Sequence, residues 1–293
     1  MRAIGIDLGG HNTKAALVID GTIQERLEEA TAPGRRQEEV CAQVARLAEA
    51  LSPAGEVVPV GLGVPGMLDT FREHIKKMPN FPNWEGVPLK ALLEERLSRP
   101  VAIENDANCY ALGEGWAGAA KGLSSYVVIT LGTGVGGGIV LDGKLLKGAH
   151  GMAGELGHIA IGKDEYCGCG GRGHLEAISG ADALERLARS WGIPDDLPHL
   201  WQERKNPVIA DFWSVALDAW GRALASIAHT LDPEAIVIGG GLSRGEGFLE
   251  SLHPHVIPYL ALPFREALDL RLSLLGNDAA IIGAAAVALG CFA

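Results

Sequence analysis

The sequence has no long hydrophobic run. Its longest apolar stretch, residues 279–289, falls well short of the roughly 20 residues a bilayer-spanning helix needs, so no membrane anchor is expected. Positive charge is also scarce: 25 Lys and Arg against 36 Asp and Glu give a net charge of −11. Nucleic-acid binders normally carry a basic face, which argues against that class. A nucleotide ligand stays open, because backbone N–H groups and a metal ion can hold phosphates without basic side chains. Cysteine is sparse and scattered, at Cys41, Cys109, Cys167, Cys169 and Cys291, and does not form the framework of a secreted disulfide protein. Met1-Arg2 leads directly into an apolar strand pattern with no signal peptide, so a cytoplasmic setting is expected.

The hydrophobic share of 47% and charged share of 21% are those of a soluble globular chain, and 293 residues allow two domains with ample core. Glycine is abundant, at 40 residues, and clusters in short loops. Such clusters mark places where backbone approaches something closely.

Strands are read at 3–8 and 14–19, with a third at 22–27 after the Asp20-Gly21 turn signal. Helical spacing follows over 37–51, then a strand at 57–64, short strands within 67–77, a loop at 79–84 and a helix at 89–97. A strand at 101–104 runs into Asn105 and Asp106, and a helix over 107–120 comes next. The pattern then restarts: a strand at 125–131, a Gly-rich loop at 132–138, a strand at 139–141 and an Asp142-Gly143 turn. This repeats the order of residues 4–21, and the repetition points to two related α/β domains joined by the helix 107–120. Helices are expected at 182–191, 211–231, 247–261 and 279–289, and strands at 235–238 and 268–274.

Residues 132–137 match the dinucleotide pattern G-x-G-x-x-G, but that pattern must open a helix within a βαβ unit. Here a strand and a turn follow, so a Rossmann site is rejected. The alternative is a β-hairpin whose tip presents successive N–H groups to phosphate. Two such hairpins, at 7–13 and 132–138, could grip one polyphosphate, and residues 239–241 offer a third close approach suited to a nucleoside. Tight turns with no ligand would account for each loop taken singly. Asp7 closes a strand beside the first loop, where a carboxylate would face a Mg²⁺-bound water.

His158, Cys167, Cys169 and His174 form H-x8-C-x-C-x4-H, a complete tetrahedral set for a structural Zn²⁺. Buried thiols beside incidental histidines are the other reading; a redox pair would be spaced C-x-x-C. Glu155 and Glu176 lie within this segment. Held in place by the metal, they suit sugar hydroxyls; otherwise they are ordinary solvated glutamates. Asp106, where strand meets helix, is either a helix cap or a group placed where α/β sheets bind ligands.

Taken together the motifs resemble the ROK family of bacterial sugar kinases. They are DLGGxNTK at 7–14, PNFPNW at 79–84, ENDAN at 104–108, GTGVGGG at 132–138, GELGH at 154–158, CGCGGRGHLE at 167–176 and IGGGLS at 238–243. The resemblance implies an α/β fold of two actin-like (ribonuclease H-like) ATPase domains with a cleft between them. The small domain would take residues 1–109 and 278–293, and the large one, carrying the zinc loop, 110–277. It also implies an ATP-dependent kinase acting on a hexose, glucose to glucose 6-phosphate in the glucokinase branch, with Asp106 as general base. Gly66, Asn80, Asn105, Asp106, Glu155, His158 and Glu176 would bind the sugar. Asp7, Gly9, Gly10, Asn12, Thr13, Lys14, Thr133, Gly134, Gly240 and Gly241 would serve ATP. Mg²⁺, a structural Zn²⁺ and a homodimer or homotetramer come with the same resemblance. The chain departs from the family pattern at His174, where a third cysteine is usual, and at His11, where a threonine is usual. Fructose, mannose, allose or an N-acetylhexosamine as acceptor, and a catalytically weak sugar-binding protein, are the alternatives. A sugar-responsive repressor of the same family would need a DNA-binding module ahead of the first strand.

Overall fold

The computed structural model describes residues 1–162 and 164–292. In chain order the elements are β1 (Arg2–Leu8), β2 (Asn12–Ile19), β3 (Thr22–Ala30), α1 (Gln37–Ala50), β4 (Val60–Val64), β5 (Met67–Leu68), β6 (Ile75–Lys77), α2 (Leu89–Leu97), β7 (Val101–Asn105) and α3 (Asp106–Ala117). There follow β8 (Tyr126–Leu131), β9 (Val135–Leu141), β10 (Lys144–Leu145), α4 (Leu175–Ser179), α5 (Ala181–Trp191), α6 (Leu197–Gln202), α7 (Pro207–Leu231) and β11 (Ala235–Gly239). The chain ends with α8 (Phe248–Val256), α9 (Leu262–Ala267), β12 (Leu270–Leu272) and α10 (Ala279–Ala288). Two compact units emerge. The first comprises residues 1–124, 138–154 and 274–293; the second comprises 125–137 and 155–273.

The repeat read in the sequence is a repeat of topology. One sheet runs β3-β2-β1-β4-β7 and the other β10-β9-β8-β11-β12, so each has a meander on one side and later strands added on the other. β1 pairs antiparallel with β2 and parallel with β4, which in turn pairs parallel with β7. Even the turns match. Asp20 and Gly21 have φ of 49° and 78°, and Asp142 and Gly143 have φ of 50° and 75°. Two successive positive φ values give the turn whose twist suits a hairpin.

The Gly-rich stretch 132–138 is not one loop. β9 already begins at Val135, leaving only Gly132-Thr133-Gly134 as the tip. Gly136, Gly137 and Gly138 lie in the strand, where a Cβ at Gly137 would meet Leu156 at 2.5 Å and one at Gly138 would meet Ala111 at 2.6 Å. These two glycines make room for packing. The strand expected over 268–274 shrinks to β12, and the helix expected over 107–120 ends at Ala117.

In the first unit, alternate residues of β1 face opposite cores. Ile4, Ile6 and Leu8 pack with α1, α2 and the inner residues of β4 and β7. Ala3 packs on the other side, with Ile281, Ile282 and Ala285 of α10. α10 is rich in alanine, and backbone approaches it closely from β1, β4 and α3. A Cβ at Gly5 would lie 1.9 Å from Ile281 O, and one at Gly61 1.8 Å from Ala284 O. Between α10 and α3 the approach is as close: a Cβ at Gly113 would lie 2.1 Å from Ala279 O, and one at Gly283 1.6 Å from Cys109 O. Glu114, fully buried on α3, accepts backbone N–H bonds from Ala119 at 2.7 Å and Leu275 at 3.0 Å. It thereby ties the end of α3 to the segment leading into α10.

The glycine contact has a measurable consequence. Gly283→Ala forces α10 and α3 apart and should cost about 1–3 kcal/mol, the usual range for overpacking. The check is the midpoint of urea unfolding. A midpoint equal to that of the unsubstituted protein would show that the two helices tolerate wider spacing.

Candidate active site

In the first unit the carboxyl ends of β1, β4 and β7 lead into the predicted site residues. β7 delivers Asn105 and Asp106 to the start of α3. The cap of that helix is Asn105, whose Oδ1 accepts from Asn108 N at 3.0 Å. Asp106 is the first helical residue, with Oδ1 accepting from its neighbour Ala107 N at 2.8 Å. The sequence left capping and ligand binding both open for Asp106; the cap itself falls to the residue before it. The Asn105 amide also donates from Nδ2 to Gly66 O at 3.1 Å, which brings two predicted sugar residues together. Gly66 has φ of 134°, and a Cβ there would lie 2.2 Å from Lys77 O, so only glycine fits.

Beneath these residues lies an ion pair whose arginine lies outside every motif. Glu104 accepts from Asn105 N at 2.9 Å and from Asn108 Nδ2 at 3.0 Å, both through Oε1. Its Oε2 meets Arg72 Nε at 2.9 Å, with the side chains only 2% and 8% exposed. Arg72 in turn donates from Nη1 to Gly151 O at 2.9 Å. Buried charges are stable only when paired and hydrogen-bonded, and here the pairing fixes the orientation of the β7–α3 junction. A lone arginine 32 positions from its partner carries no sequence signal.

The first tip is Gly9-Gly10-His11. Its Gly9 N donates to Asn12 O at 3.0 Å. Thr31 holds it from behind, through Oγ1 to Gly9 O at 2.7 Å and N to His11 O at 2.8 Å. Thr13 is fully buried, with its hydroxyl 3.0 Å from that of Thr31, and so supports the tip from the inside. The Asn12 amide donates to Glu28 at 2.8 Å, and the His11 side chain is exposed. Lys14 stands opposite Asp7 in the β1–β2 register. Burial pushes the Asp7 carboxyl up from 3.8 to about 6, against the pull of Lys14. Asn80, at φ 64°, sits in the loop after β6.

The second unit carries the other predicted residues. Its tip is pinned to the start of α5 by Ala181 N donating to Gly132 O at 2.8 Å. Glu176 Oε2 accepts from Val135 N at 2.9 Å, just past the tip, and a Cβ at Gly134 would lie 2.3 Å from that oxygen. Thr133 is exposed at the apex. Gly240 has φ of 90°, and a Cβ there would meet Leu131 O at 2.2 Å, so the end of β11 presses against the end of β8 beside the tip. A Cβ at Gly241 would find open space.

His158, Cys167, Cys169 and His174 come together, with their ligand atoms all within 4.8 Å of one another. Cys169 Sγ lies 3.2 Å from His174 Nδ1, and Cys167 Sγ lies 3.9 Å from His158 Nδ1. Such a set fits a tetrahedral ion after a contraction of about an ångström. Burial pushes the Cys167 thiol up, and a cation among the four would offset that. The loop can wrap this tightly because Gly170 and Gly173 have φ of 96° and 66°. His158 serves two neighbours: its Nδ1 faces the thiol, and its Nε2 lies 3.8 Å from Glu155 Oε2. Partial burial raises the Glu155 carboxyl, with His158 opposing and Glu176 adding to the rise. Glu176 Oε1 lies 3.9 Å from Cys167 Sγ, so both glutamates stand beside the cluster.

Comparison with known proteins identifies the family. The sequence matches the model of the ROK family over residues 3–290. A glucokinase from Thermotoga maritima is 36% identical over 310 aligned residues, which take in 98% of this chain and 97% of that protein. The crystal structure of a ROK hexokinase from Thermus thermophilus superimposes with a TM-score of 0.88 at 37% identity, covering 99% of this chain and 98% of that one. A ROK family glucokinase from Streptomyces griseus, in complex with glucose and AMPPNP, gives a TM-score of 0.83 at 32% identity, covering 99% of this chain and all of that one, at 100%. The two sheets of like topology are those of the actin-like ATPase fold that these neighbours share. With the match running nearly end to end, the chain belongs to the ROK family.

Proposed function

We propose that this protein transfers the γ-phosphoryl group of ATP to a hydroxyl of a hexose, glucose in the first place, with Asp106 as general base. The observation that carries the reading is the junction of β7 and α3, where Asn105 takes the capping role and Asp106 opens the helix at the carboxyl end of the sheet. The likeness to glucokinases favours glucose over fructose, mannose, allose or an N-acetylhexosamine.

The chemistry is phosphoryl transfer, in which positioning and charge stabilisation do most of the work. The sugar hydroxyl oxygen forms a bond to the γ-phosphorus, the bond from that phosphorus to the β–γ bridging oxygen breaks, and ADP leaves. Asp106 takes the hydroxyl proton. Asp106 opens α3, and a helix N-terminus favours negative charge. Gly66, Asn80 and Asn105 orient the sugar, as do Glu155, His158 and Glu176. Backbone N–H groups of the tips at 9–11 and 132–134 receive the polyphosphate, and Gly240 and Gly241 give the nucleoside close access to backbone.

Two metals belong to the proposal. Mg²⁺ would stand near Asp7, whose half-buried carboxyl gains from a cation, and would neutralise phosphate charge. Zn²⁺ would be held by His158, Cys167, Cys169 and His174, and would supply structural order. His158 Nδ1 faces Cys167 and its Nε2 faces Glu155, so one ring would serve both the metal and the sugar. A cytoplasmic homodimer or homotetramer completes the reading.

ADP release in a coupled assay across hexoses and N-acetylhexosamines tests the function; no turnover with any of them would refute it. Asp106→Asn should bind glucose nearly normally while kcat falls at least about 10²–10⁴-fold, the usual worth of a general base. A near-normal kcat would remove Asp106 from that role. Metal analysis of protein purified without added zinc should return close to one equivalent; folded, active protein with far less contradicts the zinc site. Asp7→Asn gives a test of opposite sign in stability. A carboxyl raised to about 6 stabilises the fold below 3.8, and that contribution is lost as pH rises through about 6. At pH 7 the Asn variant should therefore be inactive yet more stable, by on the order of 2 kcal/mol, and the gap should close toward pH 4. Equal stability at both pH values would show that Asp7 is not strained by its burial.

A further inference from the structure

Residues 31–37 lie outside every motif that carried the functional reading, yet they touch both halves of the site in the first unit. At one end they hold the tip: Thr31 Oγ1 donates to Gly9 O at 2.7 Å, Arg35 Nη2 donates to Gly10 O at 2.8 Å, and Thr31 N donates to His11 O at 2.8 Å. The carbonyls of all three tip residues are thus tied to this one segment.

At the other end the segment holds the loop 79–84. Arg35 Nη1 donates to Asn80 O at 2.6 Å, and its guanidinium stands 5.6 Å from the centre of the Phe81 ring. Trp84 Nε1 donates back to Arg35 O at 2.7 Å, and Gln37 Nε2 donates to Asn83 O at 2.6 Å. Arg35, Asn80 and Asn83 all have positive φ, at 48°, 64° and 62°. Asparagine enters such conformations comparatively readily, but an arginine is held in one by its surroundings.

We infer that Arg35 is a positioning residue that couples the nucleotide tip to the sugar loop, so that binding of either substrate raises the affinity for the other. The inference rests on the kinase reading above. One planar guanidinium holds the Gly10 carbonyl with one nitrogen and the Asn80 carbonyl with another. Charge-assisted bonds of this kind are stronger than neutral ones, and the fork is rigid. Anything that fixes the Gly10 peptide, as a phosphate on the tip would, fixes the guanidinium and through it the Asn80 peptide. A sugar that fixes Asn80 acts back along the same group. A lysine, a single point charge on a flexible stem, satisfies one carbonyl at a time and cannot bridge them.

The test measures binding by calorimetry. The sugar is the hexose best phosphorylated by the unsubstituted protein, titrated with and without the ATP analogue AMPPNP and Mg²⁺. The sugar should bind at least about fivefold tighter in the presence of the analogue, the lower end of typical coupling between sites. AMPPNP affinity should rise by the same factor when sugar is present, since coupling is reciprocal. In Arg35→Ala and Arg35→Lys the ratio should fall to about one, with Arg35→Lys keeping the unfolding midpoint. A general loss of structure would weaken both ligands without erasing the ratio between conditions. The inference is overturned if the unsubstituted protein shows a ratio of one, or if Arg35→Lys keeps the full ratio. A protein that phosphorylates a hexose but shows no coupling sinks this inference alone. Failure to phosphorylate any hexose sinks the kinase reading first, and this inference with it.

Discussion

A single buried carboxylate sets the terms for the first unit. Glu104 has almost no contact with solvent, and its two oxygens are shared among Arg72, the Asn105 backbone and the Asn108 side chain. Removing one partner of such a pair leaves an uncompensated charge in a medium that cannot solvate it. The last residue of β7, the first turn of α3 and the loop that carries Arg72 are therefore held in one arrangement. Asn105, Asp106 and Gly66 all take their positions from it. Energy spent on burying charge here secures orientation, and orientation is what phosphoryl transfer needs.

Much of this was legible in the sequence wherever the signal was local. The ends of α2 are legible to the residue, between Pro88 and the Ser98-Arg99-Pro100 stretch ahead of β7. The duplicated hairpins were read from their Asp-Gly turns, since two positive φ values in succession leave few residue choices. The four metal-type ligands were found because Cys and His at close spacing have few structural uses. The reading weakened where glycine has two meanings. Gly137 and Gly138 looked like loop but stand in a strand whose neighbours leave no room for a side chain. Asn105 and Asp106 are both good caps, and only the geometry shows which one accepts the N–H bond of Asn108.

What sequence could not give was contact over distance. Arg72 reaches Glu104 and Gly151, and Arg35 reaches Gly10 and Asn80, from positions with no distinguishing neighbours. Both arginines bond to backbone carbonyls, which every residue has, so composition and spacing are silent about them. The positive φ at Arg35 and Arg72 is their common mark, and it belongs to the folded chain alone.

The first tip has a further property. Its shape is set by Thr31, Thr13 and Arg35, all of them placed behind or beside it. The side chain at its apex, His11, points to solvent, and the bond by which Thr31 holds that residue goes to the main-chain carbonyl. At His11 the frame uses only the main chain, whereas at Gly9 a Cβ would lie 2.6 Å from Asn12 O. A substitution at His11 therefore leaves the bonds that shape the frame in place.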